Sequence, residues 1–372
     1  MTAAIQRAIA RALDRIDLSR AEVAEVFGQI MDGETTPAQI GGLLVALRAK
    51  GEAVDELVGA ASAMRSRALP LDCPRRDHSI DTCGTGGDGA GTVNVSTLAA
   101  ILIAACGGVV AKHGNRALSS KCGSADVLEA LGIRVDAEPA VVTRSIATAG
   151  IGFAFAPKFH AATRHAAGVR KELGTRTIFN LLGPLTNPAC VSHQVVGVYD
   201  GRWCEPVAAA LGALGLRRAA VVHGAGGLDE IGVTGETFVA LWDQGELSAF
   251  TLAPRAFGCD ESDPRGLAGG DAAHNAGIVR KVLAGQHVGR GARYEAVLNA
   301  AAMAAALGLE LLEPGAVDLG RLPDQFIRAR TVAVDGDARL TLYKWREVSS
   351  ASLDEDLSAL ATKTAADFVG VE

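Results

Sequence analysis

Residues 80–96 constrain this chain more than any other stretch, because five glycines fall between Gly84 and Gly91. A short β-prone run, 79–82, precedes these glycines, and an apolar run typical of a helix, 96–105, follows them. A strand, a glycine loop and a helix start together present backbone N–H groups and a helix dipole to a phosphate. So many glycines lose backbone entropy on folding, which indicates that a ligand must approach this backbone closely.

Two known classes of glycine-rich loop, the Walker A loop and the dinucleotide-binding loop, bind nucleotides and resemble this stretch. A Walker A loop ends in Gly-Lys-Ser/Thr, and no lysine lies between Asp81 and Lys112. Gly84, Gly86 and Gly89 do fit the dinucleotide pattern G-x-G-x-x-G. That fold requires an acidic residue at the end of the second strand to bind the ribose. The predicted second strand, 108–111, runs instead into Lys112, which suits an anionic ligand and disfavours a dinucleotide.

Composition limits the class of protein. The chain has 372 residues, 49% of them hydrophobic and only 4% aromatic, so it can bury a substantial core in one large or two moderate domains. Its net charge of −6 argues against nucleic acid as a partner. Seven cysteines without a C-x-x-C pair predict no disulfide framework and a reducing, cytoplasmic location. With no long apolar segment at the N-terminus and no uncharged run of membrane-spanning length, we expect neither a signal peptide nor a membrane partner.

The hydrophobic pattern divides the chain into two kinds of structure. Residues 1–69 predict four helices, with start signals at Ser19 and Thr36, and this unit is too small to bury all its apolar stripes alone. From residue 79 onward, strands alternate with helices, which predicts a mainly parallel sheet covered on both faces. We therefore expect an α/β protein with a small α-helical domain (1–69 and about 159–185) and a larger α/β domain (70–158 and about 186–372).

Several weaker patterns complete this prediction. Residues 133–135 are expected to form a short strand, and 331–334 with 340–343 a hairpin around Gly336. A last helix is expected over 354–365. Each of these expectations rests on a short run of residues.

Three further polar stretches contain chemistry suited to an anionic ligand. Residues 112–120 combine cations, an imidazole, an amide and hydroxyls at the end of a strand, where open α/β sheets bind ligands. The helical stretch 164–176 is basic, and a solvated helix face is the usual explanation of such a stretch. Residues 224–230 end in Asp229-Glu230, a pair that can bind hard cations or form an ordinary polar turn. Together with the glycine loop, these stretches suggest a ligand with several phosphates, magnesium and protein cations.

Seven motifs, in order, resemble those of the anthranilate phosphoribosyltransferases. The first is Asp81-Thr-Cys-Gly-Thr-Gly-Gly-Asp88. The others occupy the ranges 94–97, 112–116, 123–131, 177–188, 227–230 and 269–276. The resemblance extends from the N-terminal helices to about residue 307, whereas residues 311–372 do not match the closing part expected. The family usually has proline where this chain has Ala161, so the segment after His160 is expected to be looser.

The resemblance implies a reaction and an assembly. Anthranilate and phosphoribosyl pyrophosphate, with Mg²⁺, would give phosphoribosyl-anthranilate and pyrophosphate in tryptophan biosynthesis. It also implies a small helical domain, a larger α/β domain and a homodimer formed through the helical domain. Because the amine of anthranilate is neutral near pH 7, no general base is assigned, and His113 is expected only to line the site.

The resemblance also assigns site residues motif by motif. It implies that these residues hold the donor: Gly84, Gly87, Asp88, Thr92, Asn94, Val95, Ser96, Thr97, Lys112, His113, Gly114, Asn115, Arg116, Ala117, Leu118, Ser119, Ser120 and Ser124. It implies that Gly84, Asn115 and Arg170 contact anthranilate, with Arg170 binding the substrate's carboxylate. It implies two Mg²⁺ ions, one bound by Ser96 and Glu230 and one by Asp229 and Glu230.

Two alternatives stay open at this point. A pyrimidine nucleoside phosphorylase shares the architecture and a similar glycine loop, but its second motif differs from residues 112–116. A non-catalytic relative that binds nucleic acid would need a basic groove, against which the net charge of −6 and the Asp229-Glu230 pair argue.

Overall fold

The computed structural model describes residues 2–117, 121–285 and 292–368. Within these residues, seven strands form one sheet in the order β3-β2-β1-β4-β5-β6-β7. The first five strands of this order are parallel, and β6 and β7 continue the sheet antiparallel. The strands are β1 (Ser79–Gly84), β2 (Val109–Gly114), β3 (Ile151–Phe155), β4 (His193–Gly197), β5 (Arg218–His223), β6 (Thr237–Asp243) and β7 (Glu246–Leu252).

Helices precede the sheet and cover it. Those of the first half are α1 (Thr2–Leu13), α2 (Arg20–Met31), α3 (Pro37–Lys50), α4 (Val54–Arg65), α5 (Val95–Ala105), α6 (Ser124–Ala130), α7 (Pro139–Ala149) and α8 (Ala156–Phe159). Those of the second half are α9 (Arg164–Leu173), α10 (Phe179–Leu185), α11 (Cys204–Ala213), α12 (Ala272–Leu283), α13 (Ala292–Leu312), α14 (Leu322–Val334), α15 (Asp337–Ser350) and α16 (Ser358–Ala361).

The first four helices form a small bundle whose starts follow the sequence signals. Ser19 and Glu22 form a capping box at α2, and Thr36 and Gln39 form another at α3. Buried side chains such as Phe27 fill the bundle core. The later helix α9 packs against α2 and α3, and α10 packs against α4. The predicted small helical domain and larger α/β domain are thus confirmed as the fold class.

The sheet is covered on both faces because neighbouring residues of its strands point into different cores. Val195 packs into the core with α5 and α13, whereas Val196 packs into the core that also holds the N-terminal helices. The helical bundle and one face of the sheet therefore share one continuous apolar cluster. The domain boundaries near residues 69, 159 and 185 stay predictions.

Two of the weaker expectations are wrong, and a third is confirmed only in part. Residues 133–135 are not a strand: Ile133 and Val135 are buried in an irregular connection beneath α15, where the Arg134 N–H donates to Ser349 Oγ. The expected hairpin is helical, because α14 buries Phe326, Ala329 and Ala333 at helical spacing and packs on α13. Only α16 and a short 3₁₀ turn, Ala365–Phe368, form near the predicted last helix.

Gly336 explains why the hairpin prediction failed. Its φ of 91° lets the chain turn between α14 and α15, which is the same freedom that a hairpin turn would use. Local β propensity was outweighed by packing against α13, α5 and α7. The segment after residue 311 therefore packs on α13, α5 and α7, the helices that contact the strands.

Helix α13 has the length and composition of a membrane span. However, 89% of its apolar window is buried inside the protein, where it packs against α5 and α14. It is therefore the central core helix of the α/β part.

Candidate active site

A cavity of about 290 Å³ opens at the edge of the sheet where the parallel strands end. The loops that follow β1, β2 and β5 meet there, as expected for ligand sites of open α/β sheets. Its lining residues are Cys83, Gly84, Thr85, Gly86, Gly87, Asp88, Gly91, Thr92, Val93, Asn94, Ser96, Thr97, Lys112, His113, Gly114, Asn115, Arg116, Ala117, Lys121, Cys122, Gly123, Ser124, Asn180, Asp229, Glu230 and Gly270.

The glycine loop, residues 85–91, follows β1 and requires glycine at several positions. Gly86, Gly87, Gly89 and Gly91 all have positive φ, between 61° and 79°. The Gly86 N–H donates to Asp229 Oδ2 at 2.7 Å, and the Thr85 N–H donates to the Gly197 carbonyl at 2.9 Å. These bonds join the loop to the end of β4 and to the Asp229-Glu230 turn.

Gly197 allows that turn to lie against the sheet. A Cβ at Gly197 would come within 1.5 Å of the Asp229 carbonyl oxygen, and a Cβ at Gly84 would come within 2.8 Å of Asp229 Oδ2. The two glycines at the ends of β4 and β1 therefore leave the space that Asp229 occupies. Any side chain at Gly197 would displace the turn.

Glu230 lies at the start of α5. The Ser96 N–H, one of the helix's first amide groups, donates to Glu230 Oε1 at 3.0 Å. The carboxylate therefore interacts favourably with the positive end of the helix dipole. This contact brings Ser96 and Glu230 together, although they are 134 residues apart in the chain.

We call Asp88, Asp229 and Glu230 the carboxylate end of the cavity. Burial, followed by the charge of Asp88, raises the pKa of Asp229. Burial and the charge of Asp229 raise the pKa of Glu230 to about 8. The Asp229 N–H also donates to Asp88 Oδ2 at 3.4 Å. Carboxylates crowded in this way are stabilised by a cation placed between them.

The donor groups at this end suit Mg²⁺ shared with a ligand. In the described residues, no group of three or more His, Cys, Asp or Glu side chains forms a metal cage. Mg²⁺ does not need one, because it commonly uses one or two carboxylates together with substrate phosphates and water. Ser96, Asp229 and Glu230 all line the cavity and offer only oxygen ligands, so they fit such an ion.

Lys112 is a buried cation in the wall of the cavity. Its side chain is 1% exposed, and its Nζ donates to the Thr82 carbonyl. Asp81 is fully buried and accepts from the His113 N–H at 3.2 Å and from Asn187 Nδ2 at 2.8 Å. Burial raises the pKa of Asp81 to about 6, which the charge of Lys112 opposes.

The loop after β2 is held by Asp126. Its carboxylate accepts the Ala117 and Gly123 N–H groups at 2.9 and 2.8 Å. Arg116 forms ion pairs with Asp126 at 3.1 Å and with Glu129 at 2.8 Å. Its charge is thus largely neutralised by the protein. The predicted site residues Leu118, Ser119 and Ser120 lie outside the described residues.

We call His113, His160, Arg170, Phe179 and Asn180 the histidine end. The two imidazole rings lie 5.1 Å apart, and the Nε2 atom of each is buried without a hydrogen-bond partner among the described residues. Burial and then His160 lower the pKa of His113 to about 3, and burial lowers the pKa of His160 to about 4. Both rings are therefore neutral near pH 7. His113 lines the cavity, whereas His160 lies behind it against the His113 ring.

Arg170 supplies the cation of the histidine end. Its guanidinium lies 4.9 Å from the centre of the Phe179 ring, and no carboxylate among the described residues forms an ion pair with it. Burial lowers its pKa from the usual value. Arg170 does not line the cavity itself, but Phe179 adjoins the lining residue Asn180.

Most of the predicted site residues meet in this one cavity. Of those described, Val95 and Arg170 do not line it: Val95 packs into the core, and the Arg170 guanidinium lies over the Phe179 ring, which does not line the cavity either. Sequence reasoning did not assign these further lining residues to the site: Cys83, Gly86, Gly91, Val93, Lys121, Cys122, Gly123, Asn180 and Gly270. Cys122 borders one of the seven motifs that carry the resemblance, and Asn180 and Gly270 lie inside two others, so a signal for them was present.

Comparison with known sequences places this architecture in a family. A family model described as "Glycosyl transferase family, a/b domain" matches residues 76–319, and one described as "Glycosyl transferase family, helical bundle domain" matches residues 6–68. These two matches correspond to the sheet with its cavity and to the N-terminal helices.

Individual relatives narrow this class. Anthranilate phosphoribosyltransferase of Anaeromyxobacter sp. (strain Fw109-5) is 51% identical over 89% of this chain and 98% of its own length. Anthranilate phosphoribosyltransferase from Thermus thermophilus, whose crystal structure is known, is 42% identical in sequence to this chain. The two structures superimpose with a TM-score of 0.84 over 92% of this chain and 99% of the other. The chain therefore belongs to the anthranilate phosphoribosyltransferases of this glycosyl transferase family.

A yeast relative has been solved with ligands. The Saccharomyces cerevisiae protein in complex with PRPP and Mg is 27% identical, with a TM-score of 0.83 and coverage of 94% of this chain and 99% of the other. The same yeast protein has also been solved in complex with 4-fluoroanthranilate.

Proposed function

We infer that this protein transfers the phosphoribosyl group of phosphoribosyl pyrophosphate to the amine of anthranilate, releasing pyrophosphate, as a step of tryptophan biosynthesis. One observation carries this inference: the Asp229-Glu230 pair lies against the glycine loop and the start of α5 in one cavity, above the buried Lys112. The yeast relative's complexes with PRPP and Mg and with 4-fluoroanthranilate agree with both substrates.

The carboxylate end and the glycine loop would bind the donor. The loop amides and the start of α5 suit the pyrophosphate, and the lining residues from Gly84 to Thr97 and from Lys112 to Ser124 surround it. We propose two Mg²⁺ ions, one held by Ser96 and Glu230 and one by Asp229 and Glu230. Bound there, magnesium would neutralise the negative charge that grows on the departing pyrophosphate.

The protein's own groups favour the same transition state. Attack at the anomeric carbon gives the sugar cation-like character while pyrophosphate gains negative charge. Lys112 and the dipole of α5 are fixed before the reaction, so they stabilise the developing charge without reorganisation. The cavity also holds the two substrates in contact, which removes much of the entropic cost of their encounter.

The histidine end would bind anthranilate. Arg170 lacks a carboxylate partner among the described residues, and anthranilate carries a carboxylate that can supply one. Asn115 and Gly84, which both line the cavity, would contact the acceptor as well. The aromatic amine is neutral near pH 7, and so are His113 and His160, so neither histidine is assigned as a general base.

We further propose a cytoplasmic homodimer formed through the helical bundle. Leu13, Ile16 and Val45 are apolar residues of this bundle with 47% to 66% of their surface exposed, which a second copy would cover. All seven cysteines are free, in keeping with a reducing compartment. Sedimentation of the wild-type protein at twice the mass of one chain would support the dimer, and sedimentation as a monomer would contradict it.

The phosphorylase and nucleic-acid-binding alternatives are disfavoured by the relatives, whose names and ligands are those of the transferase. The direct test follows anthranilate by its fluorescence. We expect the signal to fall only when both phosphoribosyl pyrophosphate and Mg²⁺ are present. Phosphorolysis of thymidine without consumption of anthranilate would instead assign the protein to the pyrimidine phosphorylases.

A further inference from the structure

Arg176 connects the glycine loop to the rest of the protein. It lies between α9 and α10, and its guanidinium donates to the carbonyl of Gly87. The same group lies 4.0 Å from the centre of the Tyr199 ring. Arg176 does not line the cavity, and no carboxylate among the described residues pairs with it.

Tyr199 also contacts the loop. Its N–H donates to Thr85 Oγ1 at 3.1 Å, next to the bond between the Thr85 N–H and the Gly197 carbonyl. Tyr199 is 7% exposed and belongs to the core shared with the helical bundle. Arg176 therefore stacks on a fixed ring while it holds the loop.

Few side chains restrain this loop. In the described part of the chain, two side chains from elsewhere bond to the backbone of residues 85–91: Asp229, at the Gly86 N–H, and Arg176, at the Gly87 carbonyl. Asp229 is also a proposed magnesium ligand, so its bond to Gly86 competes with that role. Arg176 has no second role and holds the loop in either case.

We propose that Arg176 is a positioning residue for the donor: by stacking on Tyr199 and binding the Gly87 carbonyl, it holds the glycine loop in the conformation that receives pyrophosphate. This inference rests on the proposed function. Gly86 and Gly87 adopt positive φ here, and as glycines they could also adopt many other conformations. A fixed contact at Gly87 therefore reduces the conformational entropy that the loop loses when the donor binds.

An arginine is required because two contacts must be made by one group. The planar guanidinium can stack on a ring with its face while it donates through its edge. A lysine ammonium at this position could make one contact or the other. Arg176→Lys is therefore expected to behave like Arg176→Gln rather than like the wild type.

The test compares the effect of each variant on donor binding with its effect on the KM for anthranilate. For Arg176→Lys and Arg176→Gln we expect the donor KM, and the donor Kd measured by calorimetry with phosphoribosyl pyrophosphate and Mg²⁺ alone, to rise about tenfold, or about 1.4 kcal/mol. The anthranilate KM should change less than about twofold and the Tm by only a few degrees. Tyr199→Phe should keep wild-type donor affinity, whereas Tyr199→Leu should weaken it in the same direction as the Arg176 variants.

Arg202 offers a matched control. Its guanidinium also lies over an aromatic ring, 5.2 Å from the centre of Trp203, but no described contact joins it to the glycine loop. Arg202→Gln should keep donor affinity. Equal rises in both KM values, or unchanged donor affinity in both Arg176 variants, would overturn the inference. Failure of the wild type to consume anthranilate would instead overturn the proposed function.

Discussion

The carboxylate end and the histidine end of the site differ in which charge lacks a partner. At the carboxylate end, Asp229 is buried and Glu230 half-buried near Asp88, and burial with mutual repulsion raises the pKa of both. At the histidine end, Arg170 lies half-buried against the Phe179 ring without a carboxylate partner among the described residues, and His113 and His160 are neutral near pH 7. Cations can therefore compensate the charges of the carboxylate end, and an anion can compensate the charge of the histidine end.

This contrast explains how one cavity can orient two anionic substrates. A pyrophosphate at the histidine end would lack magnesium ligands, and a single carboxylate at the carboxylate end would be too small a charge for two metal ions. Unpaired groups at each end therefore select the substrate that completes them, since a mismatch leaves a buried charge uncompensated.

The largest effect is expected from removing charge at the carboxylate end. Glu230→Gln keeps the shape and can still accept from the Ser96 N–H, but it weakens the hold on magnesium. We expect kcat/KM to fall roughly 100-fold or more, as when a group that stabilises transition-state charge is lost. Chelation of Mg²⁺ from the wild type should abolish turnover, and the rate should return when the ion is restored.

Glu236→Gln is the matched control for this variant. Glu236 is exposed and lies six residues beyond Glu230, outside the cavity. Its activity should remain within about twofold of the wild type, since exposed charges contribute little. Wild-type activity in Glu230→Gln would show that the carboxylate end does not bind the metal.

A smaller and more selective effect is expected at the histidine end. Arg170→Gln should raise the anthranilate KM about 10- to 100-fold, the range for a hydrogen bond between charged groups, and leave the donor KM within about twofold. Steady-state kinetics with each substrate varied in turn provides the measurement. Arg164→Gln, an exposed change on the same helix, should leave both constants near their wild-type values. Equal changes in both KM values would remove Arg170 from the acceptor site.

Local sequence signals predict only part of the contrast between the carboxylate end and the histidine end. The strand, glycine loop and start of α5 are contiguous, and the ends of parallel strands always share one edge of the sheet, so the carboxylate end could be predicted. The contact of Arg176 with Gly87 spans 89 residues, and composition or periodicity cannot reveal it. The sequence likewise could not predict the ion pairs of Arg116 with Asp126 and Glu129, because they depend on how the loop after β2 folds.

The fold shows the same division between local and long-range information. The helix starts at Ser19 and Thr36 depend on residues three apart, so the sequence revealed them. The helical state of α14 depends on burial against α13, which local β propensity at 331–334 contradicts. Tertiary packing decided that case, and only a three-dimensional structure could show it.

Arg116 tests the importance of an unpaired charge, because this cation, unlike Arg170, already forms ion pairs with carboxylates of the protein. Asp126 and Glu129 offset its charge, and 46% of its side chain is exposed. We therefore expect Arg116→Gln to raise the donor KM only about threefold, the scale of an exposed ion pair. An effect as large as that of Arg170→Gln would mean that Arg116 leaves its carboxylates to bind the donor.

The smallest expected effect concerns stability at low pH. The pKa of His160 in the folded protein is lowered to about 4, whereas the unfolded value is about 6.5, so the unfolded chain binds a proton first as pH falls. Folding free energy is therefore fully present above about pH 6.5 and is lost as pH falls toward 4, by at most about 1.4 kcal/mol per unit for each such histidine. Urea unfolding at several pH values measures this slope, which His160→Gln should flatten.

His193 separates this stability effect from a role in the site. Burial also lowers its pKa to about 4, but it lies at the start of β4, at the opposite edge of the sheet from the cavity. Both His160→Gln and His193→Gln should flatten the pH dependence of unfolding by similar amounts. Only His160→Gln should raise the anthranilate KM, because only His160 belongs to the histidine end. If both variants change that KM equally, the effect comes from general loosening of the fold, and the unpartnered Nε2 of His160 has no part in binding the acceptor.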